Sequence, residues 1–276
     1  VGLPHEEPNW EYLTEADWAG ILGLILGLGA LTVLLEEGHR EEWFESSFIR
    51  WLTLIAIIGF SSLIYGQMNA PKPVLKLRLL LDRQFGSVAV MALALGMVMY
   101  GSTYVIPQFL AIISDYNAFQ TGLVIFWMGI PAFLLMPVLP FMIRRIHIRI
   151  AVGAGMLLMA ISCFVSISLT AQSGGAVFTE GQLIRGVGMI LSMMFLNQAT
   201  VASVAKADAG DASGIFNAAR NLGGSFALAG LASFQDQRIW HHSRRMEESL
   251  NANSVSVQNH LDGLARIADV LVGHER

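Results

Sequence analysis

Charge is what this chain has least of. Only 14% of its 276 residues are Asp, Glu, Lys or Arg, where a soluble domain carries about a quarter. Cysteine is nearly absent: the single Cys163 excludes an internal disulfide framework and any cysteine-cluster metal site. A basic excess is missing too. The net charge of −4 supplies no global field for a polyanion such as nucleic acid. No Ser, His and Asp grouping carries a nucleophile signature, so enzymatic chemistry is not expected. The adjacent His241 and His242, with His260 and His274 further on, recur at no ligand spacing, and neither a metal nor another cofactor is expected.

What is present is apolar. Hydrophobic residues make up 54% of the chain, with 27 Gly and 13 Met, and the mean hydropathy is +0.55. The uncharged runs are long. Eighteen residues separate Asp17 from Glu36, and 21 run from Trp51 to Pro71. Gln84–Ser114 gives 31, Tyr116–Ile143 gives 28, Ile150–Thr179 gives 30 and Gly186–Ala205 gives 20. Ala212–Gln235 is interrupted only by Arg220. Crossing a hydrocarbon core takes roughly 20 apolar residues of helix. Barrel strands would alternate with a period of two, and these runs do not. The expected class is therefore an all-α integral membrane protein with about seven transmembrane helices, near 18–36, 49–68, 87–112, 119–143, 148–170, 180–205 and 213–234.

The first run is not a signal peptide, because it has no basic segment before it and follows an acidic, aromatic stretch. The chain begins at Val1 rather than Met, which suggests a piece of something longer.

Basic residues orient the bundle. One set of loops holds Lys72, Lys76, Arg78, Arg83, Arg144, Arg145, Arg149 and Lys206, against Arg40 and Arg50 on the other side. The first set is expected in the cytoplasm. The expected organisation is a cytoplasmic segment 1–17, a helix pair over 18–68, an interfacial cytoplasmic segment 69–86 with its Leu residues toward lipid, five helices over 87–234, and an outer loop 235–276. In that loop Leu261, Leu264, Ile267, Val270 and Leu271 suggest an amphipathic helix. The glycine ladder Gly20, Gly23, Gly27 and Gly29 suits close packing of helices in lipid better than phosphate binding.

Several stretches resemble a known family. The Arg-rich connection Pro140–Arg149, with Arg144, Arg145 and Arg149, resembles a degenerate copy of the cytoplasmic signature loop of the major facilitator superfamily. Gln182-Leu-Ile-Arg-Gly-Val-Gly188, containing Arg185, Gly186 and Gly188, resembles that superfamily's signature on the fourth helix of a six-helix half. Phe216–Ala229, with Gly223 and Gly224, is similar to the penultimate helix of EmrB/QacA-type drug:proton antiporters, and Tyr104–Leu110 to their ninth helix. The resemblance implies a partial major facilitator fold: the extra helix pair and most of the second six-helix half of a fourteen-helix transporter. It implies a missing N-terminal half and an absent last helix.

Polar groups in apolar helices carry a cost, about 2.5–3.5 kcal/mol for a central charge on insertion scales, and normally face a cavity or a partner. Arg185, Met189, Met193, Asn197 and Thr200 recur three or four residues apart, on one helix face. Met97, Tyr100, Tyr104 and Gln108 do the same. The resemblance makes both faces candidates for a substrate cavity, together with Asn217 and Arg220. Aromatic rings, thioethers and a few amides suit hydrophobic or cationic compounds. The same spacing also serves ordinary interhelical packing. Arg185 is expected near the outer end of its helix, either snorkelling to the interface or acting as the signature arginine, with Glu180 as a possible partner. None of the spans holds an Asp or Glu between its end residues. Proton coupling, which the resemblance implies, therefore looks to the missing half for its carboxylate.

The function expected is export of hydrophobic compounds by a proton-coupled multidrug transporter of the bacterial inner membrane. The alternatives are an exporter of a dedicated metabolite such as a fatty acid or siderophore, and a non-transporting membrane scaffold. Expected partners are the substrates, protons and the lipid membrane. The resemblance adds a periplasmic adaptor and an outer-membrane channel; no nucleic acid is expected.

Overall fold

The computed structural model describes residues 17–70, 73–168, 170, 173 and 175–249. The N-terminal segment ahead of Asp17 and the proposed amphipathic helix after residue 250 lie outside the described residues. Among the described residues eight α-helices follow in order: α1 Trp18–Glu37, α2 Ser47–Asn69, α3 Arg83–Ile112, α4 Ala118–Leu135, α5 Leu139–Arg145, α6 Ile148–Val165, α7 Gly175–Ala202 and α8 Ala209–Ser249. No strand occurs among the described residues.

By length and composition α1, α2, α3, α4 and α6 qualify as membrane spans. Helices α7 and α8 occupy the places of the sixth and seventh expected spans. They are more polar, because α7 carries Arg185, Asn197, Gln198 and Thr200, and α8 carries Asn217, Arg220 and Asn221. The expected span 119–143 is not one helix. It breaks after Leu135 and resumes as α5. Pro137 lies in the break, where its ring would clash with the carbonyl four residues earlier, and Pro140 sits in the first turn of α5, where a missing N–H costs nothing. The expected span 148–170 ends its α-helix at Val165.

Helices α1 and α2 pack as a pair at backbone contact. A Cβ added at Gly59 would overlap the backbone of Gly27, and one at Gly23 would overlap that of Leu63. Small residues let helices in lipid approach this closely and gain dispersion contacts. Asp17 caps α1: its Oδ1 accepts the Gly20 N–H at 2.7 Å, and its Oδ2 accepts the Val74 N–H at 3.4 Å. The buried Asp17 thus ties the start of α1 to the segment after α2. That segment forms a short 3-10 turn, Leu77–Leu81. Leu75 and Leu79 turn inward onto Phe85, Ala212 and Ile215, while Leu80 and Leu81 are exposed. Only part of the segment therefore presents leucine outward.

The main core gathers α3, α5, α6, α7 and α8. Ala92, Leu95, Leu139, Met159, Phe195 and Phe216 are its buried centre. The chain divides into two compact units, Val1–Ala229 and Gly230–Arg276. In the second, helical residues carry two cation–aromatic stacks. Arg238 lies over Phe234 at 5.3 Å and Arg244 over Trp240 at 3.8 Å.

Candidate functional site

Some of the candidate residues make contacts between helices. Helices α3 and α8 meet at glycine. A Cβ at Gly96 would strike the Arg220 carbonyl, one at Gly223 the Leu93 carbonyl, and one at Gly224 the Tyr100 ring. With the backbones this close, the Tyr100 hydroxyl donates to Asn221 Oδ1 at 3.1 Å. From the preceding residue, Arg220 Nη1 donates to the Met193 sulfur on α7 at 3.3 Å, and its guanidinium lies 6.0 Å from the Phe216 ring. The Arg220 Nε is buried without a hydrogen-bond partner. Adjacent residues of α8 thus hold its two neighbours, Asn221 bonding Tyr100 of α3 and Arg220 bonding Met193 of α7.

Other expected members stand differently. Met97 and Tyr104 are exposed on α3, and Gln108 is half-buried. Asn197 donates to the Met193 carbonyl at 3.0 Å and Asn217 to the Ser213 carbonyl at 2.9 Å, both within their own helices. Each amide oxygen is left for another partner.

Arg185 does not snorkel. It is 3% exposed, and the reason is a polar cage. Its Nε donates to the Ser162 hydroxyl on α6 at 3.0 Å, and its Nη1 to Gln182 Oε1 at 3.2 Å. Glu180 is exposed and does not supply the counter-charge. Two small cavities flank Arg185, one of about 10 Å³ lined by Val165, Ser166 and Phe178 among others, and one of about 20 Å³ lined by Ser102, Thr103, Pro107 and Met128 among others. Neighbouring glycines explain how α7 reaches both sides. A Cβ at Gly186 would strike the Met128 carbonyl of α4, and one at Gly188 would meet the Gly155 carbonyl and Met159 of α6.

At the opposite end, Arg144 and Arg145 occupy the last turn of α5, where cations complement the helix dipole. Arg145 also stacks on Phe141 at 5.3 Å. Arg149 lies in the first turn of α6 and is exposed. Lys76 forms an ion pair with Asp208 ahead of α8, joining the interfacial segment to the α7–α8 connection. That hydrogen bond, and then the attraction to the same carboxylate, raise the Lys76 ammonium above its ordinary pKa.

A family model for the Major Facilitator Superfamily matches residues 12–228. The chain belongs to that superfamily. Curated members align along nearly all of it. The colistin resistance protein EmrB of Acinetobacter baumannii is 27% identical over 259 residues, 94% of this chain and 51% of that protein. The multidrug export protein EmrB of Escherichia coli is 26% identical over 254 residues, 90% of this chain and 49% of that protein. The fatty acid resistance protein FarB of Neisseria gonorrhoeae is 25% identical over 267 residues, 93% of this chain and 52% of that protein. The chain spans about half the length of the curated relatives it matches. As a superfamily member with five helices among the described residues apolar enough to cross, it is a multi-pass protein of the inner (cell) membrane.

Proposed function

We propose that the chain forms the second half of a proton-coupled multidrug exporter working by alternating access. The observation that carries this reading is the pair of polar contacts that Asn221 and Arg220 of α8 make to Tyr100 of α3 and Met193 of α7. We take Met97, Tyr104 and Gln108 of α3, Asn197 of α7 and Asn217 of α8 to extend it into a surface of rings, thioether and amides. Such a surface adapts to varied apolar compounds and orients them with few hydrogen bonds. Relatives named for multidrug export and colistin resistance support the same class of cargo. The coupling carboxylate then belongs to a first half, since the spans here carry none between their ends. Arginine cannot shuttle protons at ordinary pH.

The bundle is oriented with Arg144, Arg145, Arg149 and Lys206 in the cytoplasm, following the eight-to-two distribution of basic residues in the loops. A periplasmic adaptor and an outer-membrane channel complete the export path. Drug accumulation in cells carrying Gln108→Leu or Asn197→Leu tests the wall. Both substitutions remove hydrogen-bonding groups yet favour insertion.

A second reading is export of one amphipathic acid. Arg220 favours it, because its buried Nε is left without an acceptor. The relative named for fatty acid resistance supports the same chemistry. Competition by a long-chain carboxylate against a neutral drug separates the two.

A further inference from the structure

Where α3 and α6 begin and α7 ends, the three helices stand apart around a groove of about 910 Å³. It shares no residue with the wall of Tyr100, Met193 and Arg220. Its length is apolar, lined by Val88, Met91, Val152, Met156 and Leu196. Gly153 also lines it, and open space faces the position of its missing Cβ. Its end is basic. Arg83, the first residue of α3, and Arg149, in the first turn of α6, both line it, with His147 beside them. Among the described residues neither guanidinium has an ion-pair partner. The one carboxylate there, Asp82, accepts the Gln84 N–H at 3.4 Å as the cap of α3.

We propose that this groove is a binding site for an acidic phospholipid. The headgroup phosphate lies between Arg83 and Arg149, and an acyl chain runs along Val88, Met91, Val152 and Met156. Three features select that occupant. An apolar trough between membrane helices favours a chain over an aqueous solute. Two unpaired guanidiniums favour a phosphate, which each can hold through paired N–H groups. Their place among the basic loops matches the way cytoplasm-side pockets between membrane helices hold anionic headgroups. A polypeptide helix would fill the trough but leave the two cations without an anion.

Native mass spectrometry of the protein, purified in a mild nonionic detergent and titrated with phosphatidylglycerol or phosphatidylcholine, tests this. Phosphatidylglycerol is expected to remain bound under conditions that strip phosphatidylcholine. Arg83→Gln and Arg149→Gln are each expected to weaken it about fivefold, and together about thirtyfold. Gly153→Phe keeps both cations but narrows the trough, and is expected to lower retention as well. Equal retention of the two lipids overturns the proposal, as does unchanged phosphatidylglycerol binding in the double arginine variant. A photoreactive residue in place of Met91 is expected to capture lipid in the membrane; capture of a polypeptide segment instead overturns it.

Discussion

The guanidinium of Arg185 reaches across from α7 and donates to the Ser162 hydroxyl of α6 at 3.0 Å. Both residues are buried, and Gln182 accepts a second bond from the same cation. A charge in that position is tolerable only while its donors are occupied. Ser162 is therefore a structural partner rather than an incidental polar residue on an apolar helix.

Ser162→Ala should lower the thermal stability of the purified protein by about 1–3 kcal/mol, since it strands a buried charged donor. The same substitution placed on Arg185→Met should cost far less, because the stranded group is gone. A double-mutant cycle read by thermal unfolding in detergent measures the difference. Purely additive effects would show that the two side chains do not depend on one another.

The contact of α3 with α8 predicts a contrast between glycines. Gly223→Ala forces a methyl into the Leu93 backbone and should destabilise the protein by about 1–3 kcal/mol. Gly129→Ala on α4 meets nothing within 4 Å and should be neutral or gain up to about 1 kcal/mol from helix propensity. Thermal unfolding of the two variants side by side decides it. Equal losses would contradict the close approach of the helices.

Lys76 and Asp208 should hold the interfacial segment through the physiological range. The Lys76 pKa is raised by its bond to Asp208, so the contribution is complete below the ordinary lysine value and is lost as pH climbs through the folded one. A nitroxide at the exposed Leu81 should keep constant mobility from neutral pH to about 9 and loosen above about 10.4. Lys76→Met should be loose at every pH. Mobility in that variant equal to the parent's at neutral pH would dismiss the tether.

Topology gives a fourth prediction. Reporter fusions at Arg145 and Lys206 should score cytoplasmic, and one at Gln172 periplasmic. A periplasmic score at Arg145 would reverse the orientation drawn from the basic loops.

Much of the architecture was legible because hydrocarbon imposes long uncharged runs, and the helices stand at all seven expected places. The break inside Tyr116–Ile143 was not read, although Pro137 and Pro140 signalled it, because uniform apolarity hid the boundary. The face Met97–Gln108 is visible as periodicity, although the structure leaves Met97 and Tyr104 exposed on it. Its tie from Tyr100 to Asn221 joins residues 121 apart in sequence, a distance no local pattern spans. In sequence Arg185 reads either as an interface arginine or as the signature arginine, and the structure buries it. Its partners are neutral, and a lone serine such as Ser162 carries no signal in sequence. The groove beside Arg83 and Arg149 arises from how three helices splay, which periodicity does not encode.

The central claim is that the face of α3, α7 and α8 meets the exported compound. Its most direct test is transport of several drugs by cells carrying Gln108→Leu, Asn197→Leu and Arg220→Gln, each at membrane levels matched to the parent. The account predicts that the drugs are affected unequally, with some exported several-fold less and others unchanged. Export of every compound at the parent's rate in all three variants would contradict it.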